Sequence, residues 1–248
     1  MCRILGAVSR GPIPPSLLQV FGRLAAVGKV PSDFECGPVA AKVGHPDGWG
    51  VAAFSPAGEV YRRGPASGAD DPGFARAAED VRRLGGGCVL LAHVRRVLDD
   101  RLVGEEHSLP FRRETGGGVT YFAQDGWIEK FGLQRGGTDA RWACDEVLKE
   151  MAGRWERRAF TDALQAVRTQ CRERYPRRLS ALTAVVAGAG GLLAHRDAGN
   201  CLLYYTLHVA ESRDLVLVSS EVLQGIEARW RLLRKGETVA VGPDLVVT

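Results

Sequence analysis

The sequence holds a single asparagine, Asn200, and only two methionines. Scarcity of such thermolabile side chains is shared by thermophile proteins and by chains from GC-rich genomes. No apolar run reaches the ~18 residues needed to cross a bilayer. The opening Met1-Cys2-Arg3-Ile4-Leu5-Gly6 also lacks the basic region and apolar run of a secretory signal. These absences point to a soluble, cytoplasmic protein with no membrane partner. The six cysteines (Cys2, Cys36, Cys88, Cys144, Cys171, Cys201) form no CxxC pair, and no two histidines have HExxH spacing. No metal site is therefore expected. No nucleotide-binding glycine motif occurs, so no cofactor is expected. The net charge of +4 is small, and its basic residues alternate with acids, as in Arg154-Trp155-Glu156-Arg157-Arg158. That pattern is a solvated helix face rather than a nucleic-acid surface.

What remains is an ordinary globular composition, 45% hydrophobic over 248 residues, enough for a sizeable core. A strand is expected from Cys2 to Val8, then a helix from Ser16 to Val27 with Ser16 as its cap. A hairpin follows over Gly48–Phe54 and Glu59–Arg62, then a helix over Phe74–Leu84 and a buried strand over Cys88–His93. Val119–Ala123 reads as a strand entering a turn at Gln124-Asp125-Gly126. Helices over Asp139–Arg154 and Ala159–Arg174 come next. Strands close the chain at Leu182–Ala187, Gly191–His195, Leu202–Val209, Leu215–Ser219 and Thr238–Val241. Strands, two helices, then strands is not the alternation of a doubly wound parallel sheet. It suits an α+β fold of two packed antiparallel sheets with helices outside, in one domain over residues 1–248. Cys88 and Cys201 open apolar runs and read as buried small hydrophobes. A disulfide among the remaining cysteines stays open. Gly64–Gly73 and Gly116–Gly118 are the glycine-rich candidates for a mobile loop.

Chemistry concentrates around Cys2. If Met1 is removed, Cys2 carries a thiol and a free α-amine, and the amine (reference pKa about 7.7–8.0) can take the thiol proton. Four islands accompany it. Gly44-His45-Pro46-Asp47-Gly48-Trp49-Gly50 permits close backbone approach at a strand entrance, and also fits a tryptophan anchoring core beside a tight turn. Ala92-His93-Val94-Arg95-Arg96 ends an apolar strand with an arginine fork suited to a carboxylate, or with a solvent-facing arginine. Phe122-Ala123-Gln124-Asp125-Gly126-Trp127 can aim a backbone N–H into a cleft, or be a plain Asp-Gly turn. Thr138-Asp139-Ala140-Arg141 opens a helix with Asp139 as N-cap, a carboxylate that could also bind an ammonium.

Taken in order, these islands resemble the class II glutamine amidotransferases, which are N-terminal-nucleophile hydrolases, and within them the stand-alone single-domain branch. Leu192-Leu193-Ala194-His195-Arg196, Ser219-Ser220-Glu221-Val222-Leu223 and the closing Trp230–Val241 extend the resemblance over nearly the whole chain. It implies a four-layer αββα sandwich in which the Cys2 thiol attacks the side-chain amide of glutamine or of a γ-glutamyl compound. It further implies that Arg95 clamps the substrate carboxylate and Asp139 its ammonium. Gly126 N–H would donate to the oxyanion, and Gly48 and Trp49 would line the substrate site. A separate synthase subunit would accept the ammonia.

The chain departs from the family pattern at three places. Gln124-Asp125-Gly126 stands for His-Asn-Gly, His107-Ser108-Leu109-Pro110-Phe111 for Asn-x-His-Pro-Phe, and Thr138-Asp139-Ala140-Arg141 for Thr-Asp-Ser-Glu. An ionised Asp125 has no donor for the oxyanion, and loss of one donor costs about 10²–10³ in rate. A protonated Asp125, a donor such as Gln124, or a substrate other than glutamine would each answer that loss. The alternative function is an impaired relative that binds a glutamine-like ligand or regulates a partner.

Overall fold

β1 (Cys2–Ser9) is buried along its whole length. A strand can be that only when sheet neighbours flank it and other layers cover both its faces. The computed structural model, which describes residues 2–34, 36, 42–128, 137–174, 179–199 and 201–248, supplies those neighbours. β1 pairs antiparallel with β4 (Cys88–Arg95) on one side and β10 (Leu215–Ser219) on the other. β2 (Trp49–Ser55), β3 (Gly58–Gly64), β9 (His208–Glu211) and β11 (Trp230–Leu232) complete this sheet, in the order β11-β9-β10-β1-β4-β2-β3. The second sheet holds β5 (Phe111–Thr115), β6 (Gly118–Asp125), β7 (Thr183–Gly188), β8 (Gly191–His195) and β12 (Thr238–Val241), in the order β12-β8-β7-β6-β5.

Alternation along the strands sorts side chains between two apolar clusters. Ile4, Val8, Ala52, Val89 and Leu91 meet the second sheet. Leu5, Ala7, Trp49, Val51 and Ala53 face the other way, against α1 (Pro15–Gly22) and α3 (Pro72–Arg83). The outer face of the second sheet is covered by α4 (Asp139–Met151) and α5 (Arg157–Arg174), which share the inter-sheet cluster. The result is the expected α+β fold, a four-layer αββα sandwich.

Several local expectations change. Ser16 does not cap the first helix: Pro15 occupies its first turn, where a missing N–H costs nothing, and the helix stops at Gly22 before a short α2 (Leu24–Val27). Gln124 and Asp125 lie in β6, paired with Ala184 and Thr183, so the turn begins at Gly126. Leu202–Thr206 is a hydrogen-bonded turn rather than a strand, with Leu202 55% and Leu203 71% exposed. Its apolar run misleads because Cys201, Tyr204 and Tyr205 are buried while the two leucines face solvent. Cys201 is buried, but as half of a disulfide with Cys36, 165 positions away in sequence. Cys88 is a free buried thiol as expected. Gly116–Gly118 turns the β5–β6 hairpin, at the end of β6 opposite Asp125. Gly64–Gly73 leads from β3 into α3, with Asp70 and Asp71 N–H bonded to Ser67 O.

Candidate active site

The register of β1 against β4 sets Cys2 directly opposite Arg95. Opposite residues of an antiparallel pair project to the same face with Cβ atoms about 5 Å apart. Trp49 pairs with Val94, one step out of phase, and its side chain lies in the helix-facing cluster. There its ring meets Phe74 edge-on at 5.3 Å, and Nε1 donates to Asp71 Oδ2 at 2.7 Å. Trp49 is thus brought to the core and not to Cys2. Gly48 serves the site through its backbone: its carbonyl accepts from Arg95 N at 2.8 Å, while Asp47 N donates to Arg95 O. A Cβ on Gly48 would meet Ser108 Oγ at 2.5 Å, with φ at +131°.

The second sheet brings its own residues to this edge. Asp125, at the end of β6, is 1% exposed, and its Oδ1 accepts at 2.8 Å from Cys2 N, a peptide N–H while Met1 is attached and the place the free α-amine would take once Met1 is removed. Gly126 follows with φ +140°, a region that L side chains rarely adopt. A Cβ there would stand 1.8 Å from Ala181 O, so no other residue fits without moving the backbone. The next residues are pinned: Trp127 N donates to Ser180 Oγ, and Ile128 N donates to Asp139 Oδ2 at 2.7 Å. Asp139 also accepts from Ala140 N at 2.8 Å. Thr138, not Asp139, caps α4, its hydroxyl accepting from Arg141 N. Asp139 is the first helical residue and is left to hold the Gly126–Ile128 turn.

Burial sets the electrostatics of this edge. It raises the Asp139 pKa, against the lowering effect of the two backbone N–H groups and Arg95. It lowers Arg95, whose guanidinium donates to Leu102 O at 2.6 Å. Burial also drives His93 down to about 3, so it is neutral at physiological pH; its Nε2 meets Gln124 O at 3.3 Å. Among the other free thiols, burial pushes Cys88 up to about 11 and Cys144 and Cys171 up to about 12, which leaves them unreactive.

Sequence reasoning passed over four residues at this edge. Arg3 is 1% exposed and reaches both Asp125 and Glu221. Tyr204 lays its ring over the Arg3 guanidinium at 4.3 Å. Ser220 Oγ accepts from Ile4 N at 2.9 Å, and Ser220 N donates to Ile4 O, which ties β1 down beside the nucleophile. The available signals were Arg3, a charge inside an otherwise apolar strand, and the Ser219–Leu223 stretch of the resemblance, which contains Ser220 and Glu221 without giving them a role. Met1 lies outside the described residues. Among the described residues, no cluster of His, Cys, Asp and Glu could hold a metal ion.

Comparison with known proteins bears on the family and the fold. The family model of class-II glutamine amidotransferases matches residues 33–222, a span that begins after Cys2 and Arg3. Two solved structures share the fold. The allosteric regulatory enzyme of purine biosynthesis aligns with a TM-score of 0.65 at 14% identity, over 97% of this chain and 47% of that one. A glutamine aminotransferase class-II domain protein of Silicibacter pomeroyi aligns with a TM-score of 0.62 at 17% identity, over 97% of this chain and 95% of that one. The present chain therefore spans about half the length of the first and nearly all of the second. No curated protein matches it. At such identities the two structures speak for the fold, while the family match extends over more than half of the sequence. The chain belongs to the class-II glutamine amidotransferases.

Proposed function

We propose that this protein hydrolyses the side-chain amide of glutamine or of a γ-glutamyl compound, with Cys2 as nucleophile. The observation that carries the reading is the meeting of Cys2, Arg95 and Asp125 at one edge of the sandwich, by register and by a 2.8 Å hydrogen bond. With Met1 removed, the α-amine of Cys2 takes the thiol proton and Sγ attacks the amide carbon. The proton returns to the departing nitrogen, which leaves as ammonia from glutamine or as the amine from a γ-glutamyl compound, and a thioester remains. Water then cleaves the thioester, freeing glutamate and the thiol. Arg95 receives the substrate carboxylate and Asp139 the ammonium. Gly126 N–H donates to the oxyanion. Asp125 accepts hydrogen bonds through both carboxylate oxygens, which favours an acceptor's role at Cys2 N over a donor's role toward the oxyanion. Gly48 acts by holding the Arg95 backbone, and Trp49 by packing behind it.

The ammonia acceptor would lie on a separate synthase subunit, since the present sequence has no nucleotide-binding glycine motif. A single domain over residues 1–248 and a cytoplasmic setting belong to the same proposal. Among the described residues, no helix is long and apolar enough to cross a membrane. The Cys36–Cys201 disulfide sets a condition on the cytoplasmic reading, because such bonds are uncommon in reducing compartments outside hyperthermophiles.

The test is glutamate release from glutamine and from γ-glutamyl amides by the mature protein, its intact mass confirming loss of Met1. Cys2→Ala should reduce release to background. Binding heat on glutamine titration with no product would instead favour a ligand-binding, regulatory protein. Retention of Met1 would sink the hydrolase, because the amine would be tied up in a peptide bond.

A further inference from the structure

An arginine inside a central strand is costly to bury, and it persists where the surrounding acceptors compensate it. Arg3 is compensated on every side. Its Nη1 donates to Cys2 O at 3.0 Å and to Asp125 Oδ2 at 3.4 Å. Its Nη2 donates to Lys29 O at 2.5 Å, and its Nε donates to Glu221 Oε1 in a short ion pair. The Tyr204 ring closes the cage from one face. Glu221 is itself held by Lys29 N at 2.8 Å. Burial pulls the guanidinium pKa down, yet Glu221 and Asp125 hold it above its usual value. Arg3 is charged at physiological pH.

Three of these contacts converge on the nucleophile. Arg3 grips the carbonyl of Cys2 and one oxygen of Asp125, while the other oxygen of Asp125 takes the nitrogen of Cys2. We propose that Arg3 is a positioning residue of the amidohydrolase: it holds the Asp125 carboxylate against the Cys2 nitrogen and so orients the amine that takes the thiol proton. The inference rests on the hydrolase reading above and adds to it a residue that touches neither substrate nor the reacting sulfur. It also gives Asp125 a purpose as the seat of the N-terminal amine, with Arg3 bonded to its other oxygen.

Other charged or titratable groups face this cluster. Arg95 lies across the strand from Cys2, and Asp139 acts on Arg95 from α4. His93 is neutral and feels Asp125. Tyr204 and Tyr205 face Cys2 and Asp125 from the 201–206 turn, and burial raises both, so they are uncharged. The Lys29 ammonium is turned to the Phe34 ring at 5.8 Å. None of these bonds both Cys2 O and Asp125 among the described contacts.

The experiment uses the mature protein with Arg3→Gln, Arg3→Lys and Glu221→Gln. Two readouts are taken: kcat and KM for glutamine, and the rate of Cys2 alkylation by iodoacetamide against pH, mapped by peptide mass. Cys2 is buried like the other free thiols, so the peptide mass assigns the alkylated site; Cys36 and Cys201 are disulfide-bonded, and burial holds Cys88 up at about 11 and Cys144 and Cys171 up at about 12. The alkylation midpoint belongs to the coupled amine and thiol. Removing a nearby positive charge raises it and removing a negative one lowers it. Arg3→Gln should therefore move the curve up, Glu221→Gln should move it down, and Arg3→Lys should restore its position. Arg3→Gln should lower kcat at least tenfold with KM within twofold, and Arg3→Lys should recover only part of kcat. Unmoved curves, or curves moved the same way by both substitutions, would assign Arg3 a structural role and overturn the proposal. If Arg3→Gln does not fold, the Glu221→Gln curve decides alone. Because alkylation needs no substrate, the result stands even if the wild type cleaves no amide, so the two readings fail separately.

Discussion

Ile4 and Val8 of β1 share an apolar cluster with Val185, Leu192 and Leu193 of the second sheet. At the start of the same strand, Cys2 and Arg3 sit with Asp125, Glu221 and Arg95, all ionisable and nearly all out of solvent. The first region is held by burial, which is non-directional and tolerates exchange of one hydrocarbon for another of like volume. The second is held by hydrogen bonds whose partners cannot be exchanged singly, because a buried charge that loses its partner costs several kcal/mol. One strand therefore serves as scaffold over six residues and as active-site wall over two. At that boundary the edge is closed by loops. Those loops include the Gly126–Ile128 turn and the 201–206 turn.

The largest effect expected at the ionic edge comes from its covalent tie. Cys36–Cys201 joins the segment after Pro31–Phe34 to the 201–206 turn, and both neighbourhoods touch Arg3, through Lys29 O and the Tyr204 ring. A bond closing so long a loop stabilises by about 2–5 kcal/mol. The double variant Cys36→Ser, Cys201→Ser should lose that amount in non-reducing urea unfolding, with a larger m value because the unfolded chain is no longer cross-linked. An unchanged midpoint would mean that the ion pairs alone hold the edge.

The next test sits on the boundary itself. His93 pairs across the strands with Ile4, and burial depresses its pKa to about 3; His195 in β8 is depressed to about 4. A histidine depressed on folding stays neutral while the unfolded chain protonates from about pH 6.5 downward. Its stabilising contribution is therefore full above that pH and is lost as pH falls toward the folded value. Between pH 6.5 and 5 each histidine should remove about 2 kcal/mol of stability. His93→Gln should unfold at a midpoint well below wild type at pH 7.5, and the gap should narrow by about 2 kcal/mol at pH 5. Parallel pH dependences would show that His93 reaches water and belongs to the edge, not to the interlayer.

This contrast also explains what the amino-acid sequence disclosed. The continuous apolar run in Cys88–His93 and the helical spacing in Phe74–Leu84 are statements about burial, and burial extends along an element, so the layers were legible. Cys2, Arg95, Gly126 and Asp139 were legible as pieces of a pattern. Their partners were not. Nothing local links Arg3 to Glu221, 218 positions away, or Cys36 to Cys201. The Leu202–Val209 run misled because an apolar composition does not say which side chains turn inward. Asp139 misled for a related reason: two adjacent residues, Thr138 and Asp139, could each cap α4, and the spare carboxylate was needed elsewhere, at Ile128 N.

Trp49 provides the finest test of the comparison, since a motif argument places it in the substrate site and the strand's alternation places it in the scaffold. Its Nε1–H bonds a carboxylate, Asp71, that also caps α3 through Gly73 N at 2.7 Å. Trp49→Phe keeps the ring against Phe74 and the cap on α3, and removes only the indole donor and part of the volume. The expected cost is about 1–2 kcal/mol in urea unfolding. KM for glutamine should stay within twofold of wild type, because the opposite face of β2 does not reach Cys2. A rise in KM with little change in stability would move Trp49 from scaffold to site. It would also mean that the register of β2 against β4, which here sets Trp49 opposite Val94, is not the one the working protein uses.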